Sequence, residues 1–403
     1  MKRLAGGFVA TAAFLCQAEA FAMAFRLPNQ DPDALARGNA FAATADKPSA
    51  IYYNPAGITQ LRGQQIQAGL YVVRLGIEHE SASGVITKNE PEVQVVPHLY
   101  YTCTSEDSKV SFGFGIYAPY GLALKYPDDS TFRTLAKRGS LLYLSANPVF
   151  AWQIHPTLSV AAGPTLNYSE ANFAQGLTRA FDDEFEFDGD AFGMGFNAGI
   201  RWQPHQKWAF GINYRSTTVL GYRGDAQVSG NPFLPSATTA GSAEITFPQF
   251  VAAGVSYRPT PNWNLEANAD WTDWDSVNEI DFKGTPLGDL TLPLHYRSSY
   301  MYEFGVTRYL SKGFRVSLGY FFSENSVPDR TFNPIVPDDD LHLGCLGIGY
   351  QGKRWNYALV YHFGYNGERK VEGSRPAFPT TETADGFYRI LHHAVNVSAT
   401  LKY

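Results

Sequence analysis

The sequence has little cysteine, little charge and no long apolar runs. Only three of its 403 residues are cysteine, and Cys16 lies near the start, so a disulfide framework is excluded. Beyond the N-terminus, no window of about 18 residues is apolar and uncharged, which excludes an α-helical membrane span. Charged residues are 17% of the chain and the net charge is −6, which argues against nucleic acid as a partner.

Aromatic residues and glycine are abundant instead. Aromatic side chains make up 15% of the sequence, and it contains 24 tyrosines and 37 glycines. A chain that is rich in aromatics but poor in charge and in long apolar runs favours a β-protein with alternating apolar and polar faces.

The first 22 residues have the features of a secretory signal peptide. Met1-Lys2-Arg3 precede a short apolar stretch from Leu4 to Leu15, and Ala20-Phe21-Ala22 supplies a small-x-small cleavage pattern. We therefore predict cleavage after Ala22 and a mature chain that starts at Met23. A lipid anchor on Cys16 is disfavoured because the residue before it, Leu15, is large.

From about Gln64 onward, large apolar residues alternate with small or polar ones. The alternation is clear in residues 208–215, 263–271, 314–322 and 355–363. A water-soluble sandwich is one interpretation. A membrane barrel is favoured because the strands are about ten residues long or longer and carry aromatics at their ends, and because short and long connections alternate.

The connections give the strand count. Long loops are predicted near residues 80–90, 120–139, 171–189, 220–243, 276–295, 326–340 and 368–388. Short turns are predicted at Thr104–Ser108, His155–Thr157, Pro204–Gln206, Arg258–Asn262, Ser311–Gly313 and Gly352–Arg354. Six turns and seven loops separate fourteen strands, with the short turns in the periplasm. The predicted fold is all-β: a 14-stranded antiparallel transmembrane β-barrel, closed between the last strand and a first strand near Gln65 to Ile77.

Residues Met23 to Leu61 do not follow the strand pattern. They are rich in small residues and turn formers, so we predict that they form a hatch, or plug, inside the lumen. The predicted domains are a signal peptide at 1–22, the hatch at 23–62 and the barrel at 63–403. Alternation predicts that Cys103 faces lipid and Cys345 faces the lumen.

Several motifs together resemble the FadL/TodX (OmpP1) family. They are Ala24-Phe25-Arg26-Leu27, Arg37-Gly38-Asn39-Ala40, Asn54-Pro55-Ala56, residues 112–115 with 120–122, residues 193–199, Trp271-Thr272-Asp273-Trp274 and Pro328-Asp329 with Pro337-Asp338. The resemblance covers essentially the whole mature chain. It implies an outer-membrane transporter of long-chain fatty acids and other hydrophobic compounds in a Gram-negative-type bacterium, with no cofactor and no metal.

The resemblance also implies a lateral route. The ligand would be captured by outer loops, enter a pocket beside the N-terminus and leave through a gap made by a kinked third strand. The matching kink is Tyr117-Ala118-Pro119-Tyr120-Gly121, and proline cannot donate to a strand ladder. Alternatively, Pro119 only ends the strand. The predicted gate and hatch residues are Asn54, Pro55, Ala56, Tyr117, Pro119 and Gly121.

The predicted substrate-binding residues are apolar, with one exception. Phe25 and Leu27 would line the inner pocket, or else only pack the hatch. The outer capture site would use Leu122, Leu124 and Phe132 of loop two (Leu122 to Leu135) and Phe173, Leu177 and Phe181 of loop three (Ala171 to Phe187). The last three have the spacing of one helix face.

A fatty carboxylate would need a cation in the lumen. Strand phase predicts that Arg201, Arg215, Arg258, Arg297 and Arg315 point inward, and Arg215 is the candidate. Pairing of these arginines with Glu266, Asp270 and Glu303 is the competing use. The family's carboxylate-binding arginine falls near Gln175, with Arg179 out of register, which weakens the case for a fatty acid.

The predicted function is passive transport of hydrophobic molecules, most of all long-chain fatty acids. Uptake of aromatic hydrocarbons is the alternative, and a general porin or a membrane-embedded hydrolase is less favoured; an enzyme is not expected. The predicted partners are a hydrophobic small molecule, outer-membrane lipids with lipopolysaccharide, and the barrel assembly machinery, with a monomeric state. Asp338-Asp339-Asp340 is expected to be a solvated loop tip rather than a cation site.

Overall fold

A computed structural model describes residues 23–375, 380 and 382–403. The predicted signal peptide lies outside the described residues. The described chain forms one closed antiparallel β-barrel of fourteen strands, which confirms the predicted fold class. Among the described residues, no helix is long and apolar enough to cross a membrane.

The first seven strands include three that are broken in two. Their bounds are β1 Gly63–Ser81, β2a Ile86–Lys88, β2b Gln94–Thr104, β3a Val110–Tyr117, β3b Gly121–Lys125, β4 Arg138–His155, β5 Leu158–Gln175, β6 Glu184–His205, β7a Trp208–Arg215 and β7b Thr218–Ser229.

The second seven strands include four broken ones. Their bounds are β8a Ala237–Phe247, β8b Phe250–Tyr257, β9a Trp263–Thr272, β9b Glu279–Thr285, β10a Gly288–Pro293, β10b Ser299–Tyr309, β11 Phe314–Ser323, β12 Leu341–Gln351, β13a Trp355–Tyr365, β13b Arg369–Val371 and β14 Gly386–Lys402.

The helices of the described chain are short. Two are α-helical, α1 at Pro32–Leu35 and α2 at Ala50–Tyr53. Four are 3₁₀ helices, at Pro55–Gln60, Trp274–Ser276, Ser311–Gly313 and Asp329–Thr331.

The barrel closes where the first and last strands meet. Strand β1 pairs with β14 from Gln65 opposite Lys402 to Ser81 opposite Gly386, so the backbone groups of both strands are paired within lipid. All six predicted short turns connect strands at one end of the barrel. The other end carries the longer connections, but several predicted loops are largely strand. The predicted loop at 220–243 consists mostly of β7b and β8a, that at 171–189 includes the ends of β5 and β6, and that at 276–295 contains the β9b–β10a hairpin.

Side chains alternate between lipid and lumen as predicted. In β13a every second residue is buried, and the exposed set begins at Trp355 and ends at Tyr365, so aromatics mark both ends of the lipid-facing side. Cys103 is half-buried in the outward phase of β2b, and Cys345 is buried in the inward phase of β12. Both cysteine predictions are confirmed.

Residues 23–61 are almost entirely buried and contact the inner wall on many sides. Wall side chains donate hydrogen bonds to the backbone of this segment: Asn396 Nδ2 to Asn29 O at 3.0 Å, Arg201 Nε to Ala43 O at 2.8 Å and Asn197 Nδ2 to Ile51 O at 2.9 Å. These bonds satisfy peptide groups that lie outside regular helix and strand pairing.

Glycines let this segment lie directly on the wall. Five inward glycines of strands β7, β8, β10, β11 and β12, here called the glycine track, are Gly211, Gly254, Gly305, Gly319 and Gly347. A Cβ on Gly211 would overlap the carbonyl of Ala42, one on Gly305 would overlap Arg37, and one on Gly347 would overlap the Cβ of Ala36. The track therefore seats residues 36–42 against bare strand backbone.

Candidate functional site

Strand β3 leaves the barrel wall halfway along its length. The β2b–β3a ladder ends at Leu99 opposite Ile116, and β3b pairs with β4 alone among the described strands. Gln94 to His98 of β2b therefore lie beyond the end of the ladder with β3. We call this interruption, between residues 94–98 and 118–125, the β3 opening.

The N-terminal segment takes up the hydrogen bonds that the break releases. Leu27 N donates to Pro119 O at 2.8 Å, and Gly121 N donates to Phe25 O at 2.9 Å. Arg26 and Tyr120 thus form an isolated antiparallel β-bridge. The break thus turns inward onto the first described residues, so Pro119 does more than end a strand.

An ion pair holds the same segment to the opposite wall. Both Arg26 terminal nitrogens donate to the carboxylate of Asp270 at 2.7 Å, and the guanidinium lies 3.7 Å from the centre of the Phe250 ring. The charges are almost completely buried, so losing one partner would leave the other unpaired in an apolar setting.

An apolar cavity of about 90 Å³ lies next to this segment, on the side of the longer loops. It is lined by Phe25, by Leu122 of β3b, by Leu141 of β4 and by side chains of several further elements. Those further residues include Phe173, Phe187, Ile245, Ile280, Phe282, Leu294, Tyr296 and Ile335. The Phe25 ring also packs edge-on against Trp274 at 4.9 Å and Phe247 at 5.6 Å.

Three of the predicted substrate-binding residues line the cavity: Phe25, Leu122 and Phe173. Leu124, Phe132 and Leu177 belong to the surrounding hydrophobic cluster, one layer away. Leu27 belongs to a different cluster, with Tyr71 and Val96. Phe181 is half-exposed and pairs with the Phe233 ring at 5.6 Å.

The helical arrangement expected in loop three is wrong. Strand β5 continues to Gln175 and β6 begins at Glu184, so Phe173 lies in a strand and the connection is only residues 176–183. Leu177 and Phe181 lie in that connection, so the three residues share neither a helix nor a strand. Loop two is also shorter than expected, because Leu122 and Leu124 lie in β3b.

Arg215 does not reach the cavity. It is buried inside the barrel, below the cavity on the side of the short turns. Its guanidinium donates a hydrogen bond to the Tyr117 hydroxyl and lies 5.5 Å from the centre of the Tyr52 ring. The polar groups among the lining side chains are those of Asn172, Asn333 and Ser140 and the hydroxyl of Tyr296. Gln175 is buried at the end of β5, and Arg179 is paired with Glu382. Among the described lining residues, none is a cation.

Several lumenal charges pair with residues 23–61 rather than with each other, whereas Glu303 accepts a hydrogen bond from Asn268 Nδ2 of the wall at 2.7 Å. Arg315 binds Asp33 at 2.6 Å, Arg258 lies 3.5 Å from Asp46, and Glu266 lies 3.7 Å from Arg37. The sequence prediction named the wall arginines and missed their partners, because strand phase says nothing about the hatch. Arg297, predicted inward, is exposed because it lies outside the strands, in residues 294–298.

The Asn54-Pro55-Ala56 motif is fixed to β6. Asn54 Oδ1 accepts from Ala56 N at 3.2 Å and so starts a 3₁₀ helix, while Nδ2 donates to Ile200 O at 2.9 Å. The residues that touch β3 are the ones just before the motif, since Ile51 faces Gly113 and Tyr52 packs on Tyr117 at 5.3 Å.

Asp338 is not a solvated loop tip, contrary to expectation. It is buried, and its carboxylate accepts hydrogen bonds from Met23 N at 2.6 Å and from Ser326 Oγ at 2.6 Å. Burial raises the pKa of this carboxyl, and the donors from Ser326 and Met23 act against that rise. The loop at 324–340 therefore holds the start of the described chain in place. Among the described residues, no group of acidic, histidine or cysteine side chains could hold a metal ion.

The outer side of the β3 opening is an apolar hollow. Leu70, Pro97, Leu99, Ile116 and Leu144 line an open space of about 660 Å³ on the lipid-facing surface. Leu142, which is in the outward phase of β4, is nevertheless buried, because Ala118 and Met23 pack in the same cluster where β3 turns inward.

Sequence reasoning missed most of the cavity lining. Phe282, Leu294 and Tyr296 lie in the stretch that was predicted to be a loop, and they gave no strand signal. The sequence analysis used Trp274, which packs on Phe25, only as part of the motif at 271–274. The two tryptophans of that motif are a signal for a buried contact.

Comparison with known proteins gives a consistent result. Residues 13–372 match the family described as outer membrane protein transport protein (OMPP1/FadL/TodX). A long-chain fatty acid transport protein of Escherichia coli is 23% identical over 390 residues, covering 85% of this chain and 86% of that protein. Outer membrane protein P1 of Haemophilus influenzae is 21% identical over 405 residues, covering 87% of both.

Solved structures share the fold. A FadL homologue of Pseudomonas aeruginosa superposes with a TM-score of 0.84 at 16% identity, covering 94% of this chain and 99% of that one. The toluene transporter TodX of P. putida superposes with a TM-score of 0.75 at 19% identity, covering 96% and 99%. Since the family match spans most of the sequence, the chain belongs to the OMPP1/FadL/TodX family of outer-membrane transporters of hydrophobic compounds.

Proposed function

We propose that this protein carries hydrophobic molecules passively from the outer loops into the cavity and then sideways through the β3 opening into the membrane. The observation that supports this best is the double role of residues 25–27. The Phe25 side chain lines the cavity, and the backbone of the same three residues pairs with the strand break beside the opening. A ligand that displaces Phe25 thereby acts on the opening.

The route has a simple energetic basis. A hydrophobic molecule is poorly soluble in water and meets a polar sugar layer outside the cell. Transfer into an apolar cavity gains ~0.8 kcal/mol for each methylene group removed from water. Exit into the hydrocarbon region keeps that gain, so neither ATP nor a catalytic step is needed.

The hatch (residues 23–62) separates this route from the periplasm. Its 36–42 segment lies on the glycine track, and its charges are neutralised by the wall, so no water path along the axis is required for transport. In this proposal only the first residues move, and Asn54-Pro55-Ala56 stays fixed to β6 as an anchor.

Replacing Pro119 with valine should reduce the uptake of hydrophobic compounds severalfold. Valine restores an N–H and favours the extended conformation, so β3 can continue its ladder with β2b and narrow the opening. Uptake of radiolabelled oleate and toluene by cells that produce each variant measures the effect.

Pro164→Val is the matched control. Pro164 also lies in a barrel strand, but there β5 continues unbroken and the residue faces lipid. We expect its uptake to equal that of the wild type. Equal uptake by Pro119→Val and wild type would contradict exit through the β3 opening.

Long-chain fatty acids are the first substrate candidates, in line with the names of the curated relatives. Aromatic hydrocarbons are the second, and one observation favours them: the described lining of the cavity carries no cation. A carboxylate that enters without a partner loses its hydration and gains no ion pair.

An uncharged ester separates these candidates. We expect methyl oleate to be taken up at least as fast as oleate at neutral pH, because removing the charge removes the desolvation penalty. Competition between the two for uptake by the same cells measures this. Carriage of oleate with exclusion of its methyl ester would contradict a cation-free site.

The proposed role is non-catalytic, and the partners follow from it. They are the hydrophobic substrate, the surrounding lipids and lipopolysaccharide, and the machinery that inserts the barrel. The alternating C-terminal strand that ends at Tyr403 is suited to recognition by that machinery. A monomer suffices, since one chain supplies the loops, the cavity and the opening.

A further inference from the structure

The barrel wall has a second interruption, between β6 and β7. The lower ladder ends at Asn197 opposite Arg215, and the upper ladder begins at Asp190 opposite Arg223. We call the region between them the side gap: residues 191–196 of β6 face residues 216–222 of β7 between the two described ladders. Ser216 bonds Phe196 at its lower edge, through Ser216 N to Phe196 O at 2.9 Å.

The side gap arises because β7 is broken and β6 is not. Strand β8, the other neighbour of β7, is broken at the same level, so the β7–β8 pairing keeps its register. Arg215 pairs with Phe250 on one side of the two breaks, and Thr218 pairs with Phe247 on the other. The inward phase of β7 changes from odd residues in β7a to even residues in β7b. Strand β6 runs through the same level without a change of phase, so its ladder cannot follow.

Side chains of β7 close the side gap from within, and Leu220 is the large apolar one among them. Gly193 and Gly195 are the inward positions of β6 here, and a Cβ on Gly193 would overlap the Leu220 side chain. Leu220 is completely buried and packs in the same hydrophobic cluster as the cavity residues Phe25 and Phe187. Leu220 therefore lies over Gly193, where the two ladders are interrupted, and the hydroxyls of Thr218 and Ser216 lie over Gly195.

The outer side of the side gap is apolar and open to lipid. Phe192 and Met194 of β6 are 65% and 63% exposed, and Val219 of β7b is 51% exposed. These side chains are flexible or small enough to move apart around a hydrocarbon. Few backbone hydrogen bonds join β6 and β7 in the side gap, so few would have to break.

We propose that the side gap is a second lateral exit from the cavity, with Leu220 as its gate, for the same uncharged or acyl hydrophobic molecules. This inference rests on the proposed transport function and adds a route to it. A rotamer change of Leu220 connects the cluster around the cavity with lipid between β6 and β7, without movement of residues 23–27.

The test combines the two exits. Uptake of labelled oleate and labelled toluene is measured for the wild type, Pro119→Val, Leu220→Ala and Pro119→Val/Leu220→Ala. The alanine removes the gate, so the double variant should recover severalfold over Pro119→Val. Leu220→Trp fills the gap and should instead lower uptake below the wild type. Heat-modifiable migration in gels verifies that each barrel is assembled.

Val228→Ala is the matched control for general loosening. Val228 is an inward, buried residue of the same strand and cluster, but it lies opposite Phe185 in an intact ladder. It should not rescue Pro119→Val. Rescue by Val228→Ala equal to that by Leu220→Ala would overturn the second exit.

The outcomes separate the inference from the function beneath it. Reduced uptake in Pro119→Val that Leu220→Ala does not relieve would overturn the side gap alone. Unchanged uptake in Pro119→Val together with loss in Leu220→Trp would support the side gap and reject the β3 opening. Wild-type uptake no greater than that of cells lacking the protein would reject both.

Discussion

Deleting residues 24–59 from the mature chain should raise permeability to small polar solutes by about tenfold or more, the difference between a plugged and a water-filled barrel. The deletion removes the partners of Arg315, Asp270 and Glu266. These charges then take water as their partner, so the lumen becomes a hydrated pore. Liposome swelling with sugars of increasing size measures the leak.

A shorter deletion shows whether the leak comes from the seated part of the hatch. Removing only residues 24–27 leaves the segment on the glycine track in place. We expect hydrophobic uptake to change while sugar permeability stays close to that of the wild type. A full deletion that leaks no more than the wild type would reject the plug.

Replacing Gly319 with valine should partly unseat the hatch. A Cβ at this position would overlap the backbone of Arg37 and Gly38, which cannot move aside as a flexible side chain could. Gly38 itself has φ +62° and lies on Tyr320, so its backbone has few alternatives. Overpacking of this kind costs about 1–3 kcal/mol or more. We expect an intermediate sugar leak and a lower temperature of barrel unfolding in gel-shift assays.

Gly344→Val is the appropriate comparison for that variant. Gly344 lies on the adjacent strand, opposite Tyr320, but it faces outward, and a Cβ added there would have open space for 4 Å around it. Its leak and unfolding temperature should match those of the wild type. If both valine variants behave alike, steric contact with the hatch is not the cause.

The barrel could be predicted because two-residue alternation and turn spacing are local properties of the chain. The stretch 355–363 shows this, since its sequence pattern and its observed burial alternate together. The breaks in β7 and β8 could not be predicted in the same way. They depend on how neighbouring strands share a register, and Ser216-Thr217 in β7 is not distinctive in sequence. The break in β8 contains Pro248, a strand-breaking residue that the sequence analysis did not use.

The site was predicted in part, for a related reason. Phe25 and Leu122 carried a signal because a family resemblance pointed to the N-terminus and the β3 break. Phe282 and Tyr296 carried none, since they reach the cavity from the β9b hairpin and from the segment that follows it, in a stretch without a clear alternating pattern. Arg215 had the right phase, but its height in the barrel places it below the cavity, and alternation gives the face of a residue and not its depth.

The glycine track has a consequence for the permeability of the barrel to water-soluble molecules. A hatch that lies on bare backbone at five strands cannot slide along the axis without forcing its own side chains across the wall. In the proposed lateral route, passage of a hydrophobic molecule through the wall leaves this contact untouched. In the proposed route the barrel axis therefore stays closed to water-soluble molecules while a hydrophobic molecule crosses the wall.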